Sequence, residues 1–129
     1  MSNYKVLIDS SVWIEYFKNG NIPLIDQLLK EGFACINDVI LTELEPVLKH
    51  RKRLDILEGL NAIEKVPLKI DWEIIKTYQL LNLQNGINKV GIPDLIILQQ
   101  VISEKITLFS FDKHFRLMNK FLNFELLSH

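Results

Sequence analysis

Short apolar runs alternate with segments of helical periodicity along nearly the whole chain, and this alternation constrains the fold more than any other feature. The run Val6, Leu7, Ile8 is continuously apolar, which is typical of a strand covered on both faces. Further strands are predicted over residues 33–36, 66–70, 106–109 and 124–126. Strands that alternate with helices favour a parallel sheet with right-handed crossovers, so we expect an α/β layered domain.

The intervening helices have recognisable start and stop signals. Ser11 is a candidate N-cap for a helix over residues 12–18, and Pro23 suits the first turn of the next helix. Asn37 or Asp38 can cap a third helix. The remaining helices are predicted over residues 54–63, 71–85, 94–103 and 113–119.

Two prolines and one aromatic residue refine these predictions. Pro46 cannot donate a backbone hydrogen bond, so the third helix is expected to kink or restart near Glu45. Pro67 lies inside the predicted strand 66–70 and favours an edge position for it. Asp71 caps the long helix, in which Trp72 is expected to face inward together with Ile75, Tyr78 and Leu81.

Length and composition set outer limits on the class of protein. A chain of 129 residues with 48% hydrophobic and 24% charged residues predicts one domain over residues 1–129 and excludes intrinsic disorder. No apolar run reaches the ~18 residues that a membrane-spanning helix needs, and the N-terminus lacks the features of a signal peptide. The single Cys35 is expected to be a buried, reduced thiol, and the expected location is the cytoplasm.

Four carboxylates stand where ligands bind in an open parallel sheet, which is outside the carboxyl ends of the strands. Asp9 ends the first strand, and Asp112 lies three residues beyond Phe109. Asp94 is in the first turn of an otherwise apolar helix, and Glu43 lies beside the apolar stripe of its helix. Each could separately cap a helix or reach solvent. Together they predict one acidic site.

Clustered carboxylates repel one another, so such a site is stable only with protons or cations. Hard oxygen ligands without thiolates or paired histidines favour Mg²⁺ or Mn²⁺ over Zn²⁺. The three scattered histidines, His50, His114 and His129, are therefore given no metal role. Ser10 and Ser110 lie near strand ends and are candidates to hydrogen-bond the carboxylates, or else ordinary turn residues.

The densest basic cluster surrounds His50 and consists of Lys49, Arg51, Lys52 and Arg53. A solvated helix face explains it without any function. Contact with phosphates is the alternative, and it gains weight only beside a nuclease site. We therefore treat these four side chains as weak candidates for RNA binding.

The ordered set DSSVWIEYF, Glu43-Leu44, PDLIIL and FSFDKHF resembles the PIN domain, specifically the toxin ribonucleases of the VapBC type from bacterial and archaeal toxin–antitoxin pairs. The resemblance implies a three-layer α/β/α fold with a parallel sheet of about five strands. It implies that Asp9, Glu43, Asp94 and Asp112 hold Mg²⁺ or Mn²⁺ and cleave single-stranded RNA. It also implies a small antitoxin partner and a homodimer. His114 stands where some members carry a further acid, and Pro46 departs from a plain helix after Glu-Leu.

Two other functions are compatible with parts of the sequence. A catalytically silent PIN-like module would bind RNA or a protein without any metal. A phosphoryl-accepting domain, such as a receiver or a haloacid dehalogenase-like phosphatase, would use Asp9 as its nucleophile. The second is disfavoured because Asp9 is followed by Ser10 and Ser11, without the second aspartate that these phosphatases use.

Overall fold

The structure, a computed structural model, describes residues 4–128 and contains a five-stranded parallel sheet. Its strands are β1 (Val6–Ile8), β2 (Ala34–Ile36), β3 (Glu64–Lys65), β4 (Thr107–Phe109) and β5 (Leu126–Leu127). Its helices are α1 (Ser10–Asn19), α2 (Pro23–Glu31), α3 (Asp38–His50), α4 (Leu54–Asn61), α5 (Trp72–Gln84), α6 (Ile92–Ser103) and α7 (Lys113–Met118). The predicted α/β class is confirmed.

The strand order is β3-β2-β1-β4-β5, so β1 occupies the centre of the sheet. Val6 pairs with Ala34 of β2 on one side and with Thr107 of β4 on the other. All residues of β1, β2 and β4 are buried, as expected for strands covered on both faces. Right-handed crossovers put α1 to α4 on one face and α5 to α7 on the other, which gives the expected three layers.

The direction in which the chain crosses the sheet reverses between β1 and β4. The chain runs outward from β1 through β2 to β3, then returns to build β4 on the opposite side of β1. The loops that follow β1 and β4 therefore diverge and leave a crevice at the carboxyl ends of these two strands. Such reversal points are the usual ligand sites of open α/β sheets.

The third strand is shorter than predicted and lies earlier in the chain. The sequence predicted residues 66–70, whereas β3 is Glu64–Lys65 at the sheet edge. Two buried glutamines of α6 replace the missing ladder: Gln100 Nε2 donates to the carbonyls of Val66 and Pro67, and Gln99 Nε2 donates to that of Lys69. The N–H of Val66 still donates to the Ile36 carbonyl of β2, and beyond it side-chain amides bind the carbonyls of the segment in place of a strand partner. The edge position was predicted correctly.

Other boundaries also differ from the predictions. Helix α1 begins at Ser10 with Asp9 at the N-cap position, so the assignment of Ser11 as the cap was wrong. Helix α3 continues through Pro46 to His50 without restarting. Trp72 is 55% exposed rather than inward. Ile75 is buried as predicted, and Tyr78 and Leu81 are half-buried, so the predicted inward face of α5 was wrong only at Trp72.

Cys35 lies in the buried strand β2 and is a free thiol, as predicted. Its burial, followed by the nearby charge of Glu64, raises the pKa of the thiol to about 12. The side chain therefore acts as a small apolar core residue.

Between residues 4 and 128, every helix is too short or too polar to cross a lipid bilayer.

Gly59 lies within α4 and offers a simple test of the local structure. A Cβ built at this position meets no heavy atom within 4 Å, and the residue has no positive φ. We expect Gly59→Ala to raise the free energy of unfolding by about 0.5–1 kcal/mol, because alanine loses less backbone entropy on folding. Gly20→Ala is the matched control: φ is +68° there, so denaturant titration should show a loss of stability.

Candidate metal centre

Asp9 lies at the crevice between β1 and β4 and is only 4% exposed. Its Oδ2 accepts hydrogen bonds from the hydroxyls of Ser11 and Ser110, both at 2.8 Å. Ser11 belongs to α1, whereas Ser110 follows β4. Because two neighbouring strand ends supply these donors, the position of the carboxylate is tied to the pairing of β1 with β4.

The segment after β4 is held by the same serines. The backbone N–H of Phe111 donates to Ser11 Oγ at 3.1 Å, and that of Asp112 donates to Ser110 Oγ at 3.0 Å. Asp112 caps α7, with its Oδ1 accepting from the backbone N–H of His114 at 2.9 Å. The Asp112 carboxylate therefore has a structural role as a cap while it faces the crevice.

Asp94 and Glu43 complete the acidic group from two different helices. Asp94 is half-buried in the first turn of α6. Its burial, then the charges of Asp112, Asp9 and Glu43, raise the pKa of the carboxyl to about 7. Ser10 Oγ donates to Glu43 Oε2 at 3.4 Å. Partial burial of Glu43, followed by the charge of Asp9, raises the pKa of its carboxyl above the usual range.

The four predicted acids thus lie close enough to repel one another, although they come from four separate parts of the chain. Burial and repulsion together keep a substantial fraction of Asp94 protonated near pH 7 when no cation is bound. A bound divalent cation would favour the charged carboxylate. These pKa directions are those expected of a cation-binding group of carboxylates.

Sequence reasoning missed two side chains of this site. Ser11 was interpreted as a helix cap, but its hydroxyl binds Asp9. His114 was excluded as a ligand, but donor atoms of Asp94, Asp112 and His114 all lie within 4.8 Å of one another. The spacing of His114, two residues after Asp112 at the start of a helix, was the available signal.

The donor set fits a divalent cation bound mainly by oxygen. Four carboxylates supply hard ligands, and among residues 4–128 the one cysteine is buried in the sheet. His114 adds a single imidazole, which is fewer nitrogen or sulfur ligands than a structural zinc site uses. The chemistry of these donors is compatible with both Mg²⁺ and Mn²⁺.

The basic cluster of Lys49, Arg51, Lys52 and Arg53 lies at the far end of α3 from the acids. All four side chains are exposed. Lys49 pairs with Glu45 and Arg53 with Asp55, each at 3.2 Å. Within the described part of the chain, Arg51 and Lys52 form no ion pair, which leaves their charges free for other contacts.

An apolar groove of about 400 Å³ is lined by none of the acidic residues of the crevice. It is formed by residues of α1, α2 and α4 and the segment after α4, among them Trp13, Phe17, Leu29, Ile56 and Ile63. The indole Nε1 of Trp13 is buried and finds no acceptor among residues 4–128. A buried N–H group without an acceptor lowers the stability of the fold by about 1–3 kcal/mol.

Comparison with known proteins places the chain among related folds. The family model described as "PIN domain" matches residues 6–120. Comparison with curated proteins returned no match. Among solved structures, a chain of DNA-bound VapBC from Salmonella typhimurium aligns with a TM-score of 0.76 at 17% identity, covering 97% of this chain and 98% of that one.

Two further structures show a similar fold. VapBC2 from Rickettsia felis, bound to a DNA fragment from its promoter, aligns with a TM-score of 0.77 at 15% identity over 95% of this chain and 97% of that chain. VapBC-1 from nontypeable Haemophilus influenzae aligns with a TM-score of 0.72 at 14% identity over 95% and 96%. These likenesses confirm the fold.

Proposed function

The chain belongs to the PIN domain family, and we propose that it is a Mg²⁺- or Mn²⁺-dependent endoribonuclease that cleaves single-stranded RNA as the toxin of a toxin–antitoxin pair. The observation that carries this proposal is the convergence at the switch point of the sheet of Asp9, Glu43 and Asp112 on Asp94, close enough for their charges to raise the pKa of its carboxyl. Repelling carboxylates at such a point are compatible with phosphodiester hydrolysis assisted by a cation.

In this mechanism the four acids bind the cation and the serines orient them. Asp9, Glu43, Asp94 and Asp112 would supply the carboxylate ligands. Ser110 and Ser11 hold Asp9 in one orientation, and Ser10 donates to Glu43. When bound, the divalent ion polarises the phosphoryl group and lowers the pKa of an attacking water. Arg51 and Lys52 are available to bind RNA phosphates away from the scissile bond.

Protein partners form the second part of the proposal. The apolar groove supports binding of a small antitoxin segment that supplies apolar side chains. The likeness to VapBC structures supports the same kind of partner. Trp72, Leu80 and Leu83 are 55–59% exposed along α5 and support a homodimer. The proposed location is the cytoplasm.

The test is cleavage of labelled single-stranded RNA by the purified protein. We expect cleavage with Mn²⁺ or Mg²⁺, complete loss in EDTA, and recovery when Mn²⁺ is restored in excess. Asp9→Asn should cleave poorly at every metal concentration, because one buried ligand is lost. Glu73→Gln is the matched control: it removes an 84% exposed carboxylate from α5 and should cleave normally.

Two outcomes would contradict the proposal. Cleavage that is unchanged in EDTA or in Asp9→Asn would show that the acidic group is not the catalytic centre. RNA binding that weakens with salt, without cleavage and without Mn²⁺ binding in calorimetry, would instead indicate a catalytically silent PIN-like module.

A further inference from the structure

His114 differs from the other side chains of the crevice because it offers nitrogen instead of oxygen. Its side chain is 21% exposed and lies in the first turn of α7, directly after the Asp112 cap. Its Nδ1 is 3.3 Å from Asp112 Oδ1. The two side chains are therefore adjacent on the wall of the crevice that faces Asp94.

The separations within this group are short enough for the three side chains to share a single ion after small rotations. Donor atoms of Asp94, Asp112 and His114 all lie within 4.8 Å of one another. Ligands about 2.1 Å from an octahedral ion are about 3 Å apart when adjacent and about 4.2 Å apart when opposite. Side-chain rotations would bring atoms that lie within 4.8 Å of one another to the separations that a shared ion requires.

We infer that His114 is a metal ligand and that its imidazole makes the Asp94–Asp112–His114 subsite selective for Mn²⁺ over Mg²⁺. The inference rests on the proposed function, since it concerns the ion that the nuclease would use. It reverses the expectation from the sequence that no histidine takes part in metal binding.

The chemical basis is the difference in preferred donors between the two ions. Mg²⁺ is bound almost exclusively by oxygen and retains several of its waters. Imidazole nitrogen is a better ligand for transition-metal ions than for Mg²⁺. One nitrogen among several carboxylates therefore favours Mn²⁺ while the number of ligands stays the same.

The backbone arrangement keeps the imidazole available for this role. The cap of α7 uses the backbone N–H of His114, so the hydrogen bond to Asp112 Oδ1 survives replacement of the side chain. Substitutions at His114 thus test the donor atom with little change to the helix. His114→Asp exchanges nitrogen for a charged oxygen, and His114→Gln supplies a neutral oxygen.

The experiment is electron spin echo spectroscopy of Mn²⁺ bound to the whole protein, combined with calorimetric titration of Mn²⁺ and Mg²⁺. We expect modulation from a directly coordinated ¹⁴N nucleus in the wild type and its absence in both variants. His114→Gln should weaken Mn²⁺ binding by about 10-fold or more and change Mg²⁺ binding much less. His114→Asp should bind Mg²⁺ more tightly than the wild type.

The inference is overturned if bound Mn²⁺ shows no ¹⁴N modulation in the wild type, or if no Mn²⁺ binds. It is also overturned if His114→Gln weakens both ions equally, since that result describes a residue that only orients Asp112. RNA cleavage by the same preparations separates the two claims. Metal-dependent cleavage without nitrogen coordination refutes the role of His114 alone, whereas nitrogen coordination without cleavage refutes the proposed nuclease alone.

Discussion

Replacement of Asp94 by asparagine is expected to lower RNA cleavage at least about 100-fold, as for the loss of one group that stabilises developing charge. The same variant should be more stable than the wild type at pH 7.5 in EDTA. Both effects have one cause. The charged carboxylate of Asp94 binds the cation when one is present, and it destabilises the folded chain when none is bound. The surrounding acids and burial make it unfavourable.

The pH dependence of the free energy of unfolding follows from the direction in which the pKa of Asp94 is shifted. The pKa of Asp94 is raised from 3.8 to about 7 in the folded chain. Between these values the folded state binds more protons than the unfolded state, so the free energy of unfolding falls as pH rises from about 4 to 7. The pKa shift corresponds to a loss of stability of roughly 4 kcal/mol at most. Because water near this half-buried carboxyl weakens the effect, we expect a loss of about 2–4 kcal/mol.

Denaturant titrations of wild type and Asp94→Asn at pH 4.5, 6 and 7.5 measure this effect. The stability difference should be small at pH 4.5 and reach about 2–4 kcal/mol in favour of the variant at pH 7.5. Saturating Mn²⁺ should reverse the order, because only the intact site gains fully from binding. Glu73→Gln, an exposed acid in the first turn of α5, should show no such trend. A variant less stable than wild type at pH 7.5 in EDTA would refute the account.

Asn37→Ala is expected to destabilise the protein by about 2–4 kcal/mol. Asn37 is fully buried directly after β2, and its Oδ1 accepts from the backbone N–H of Ile40 at 2.9 Å as the cap of α3. Its Nδ2 donates to Gln100 Oε1 at 2.8 Å. The substitution removes a cap worth about 1 kcal/mol and leaves a buried amide oxygen without its donor, which costs about 1–3 kcal/mol more.

The control for Asn37 is Asp71→Ala at the cap of α5. Asp71 Oδ1 accepts from two backbone N–H groups, but the residue is exposed. Its hydrogen bond to Gln99 Oε1 is donated by the backbone N–H, so it does not depend on the side chain. Its loss should cost about 1 kcal/mol. A double-mutant cycle of Asn37→Ala with Gln100→Ala should show strong coupling. Equal costs for Asn37→Ala and Asp71→Ala in urea titrations would show that the buried amide pair contributes nothing.

The sequence was sufficient for the fold class because three central strands are continuously apolar and alternate with segments of helical periodicity. Asp71 was correctly identified as a cap, and the cap of α3 proved to be Asn37, one of the two candidates with Asp38. Strand β3 was misplaced because its neighbouring backbone is satisfied by Gln99 and Gln100, which are about thirty residues away in sequence. Local patterns contain no information about such distant side-chain contacts.

The sequence was sufficient to predict the four acids of the candidate site, but the prediction of the residues that support them was incomplete. Asp9 and Asp112 follow strands whose order determines their proximity, so a fold hypothesis brings them together. Ser11 and His114 depend on side-chain directions that only the assembled structure provides. Their metal and catalytic roles stay predictions that the experiments above test.

The central pairing of β1 with β4 also bears on when the acidic site assembles during folding. Val6 and Thr107 are far apart along the chain, so this pairing closes a long loop, an event that is slow in parallel sheets. Asp9 and Ser110 meet only after it. A chain in which β4 has not yet paired with β1 therefore lacks the assembled acidic site, so on the proposed function nuclease activity is expected only once this pairing has formed.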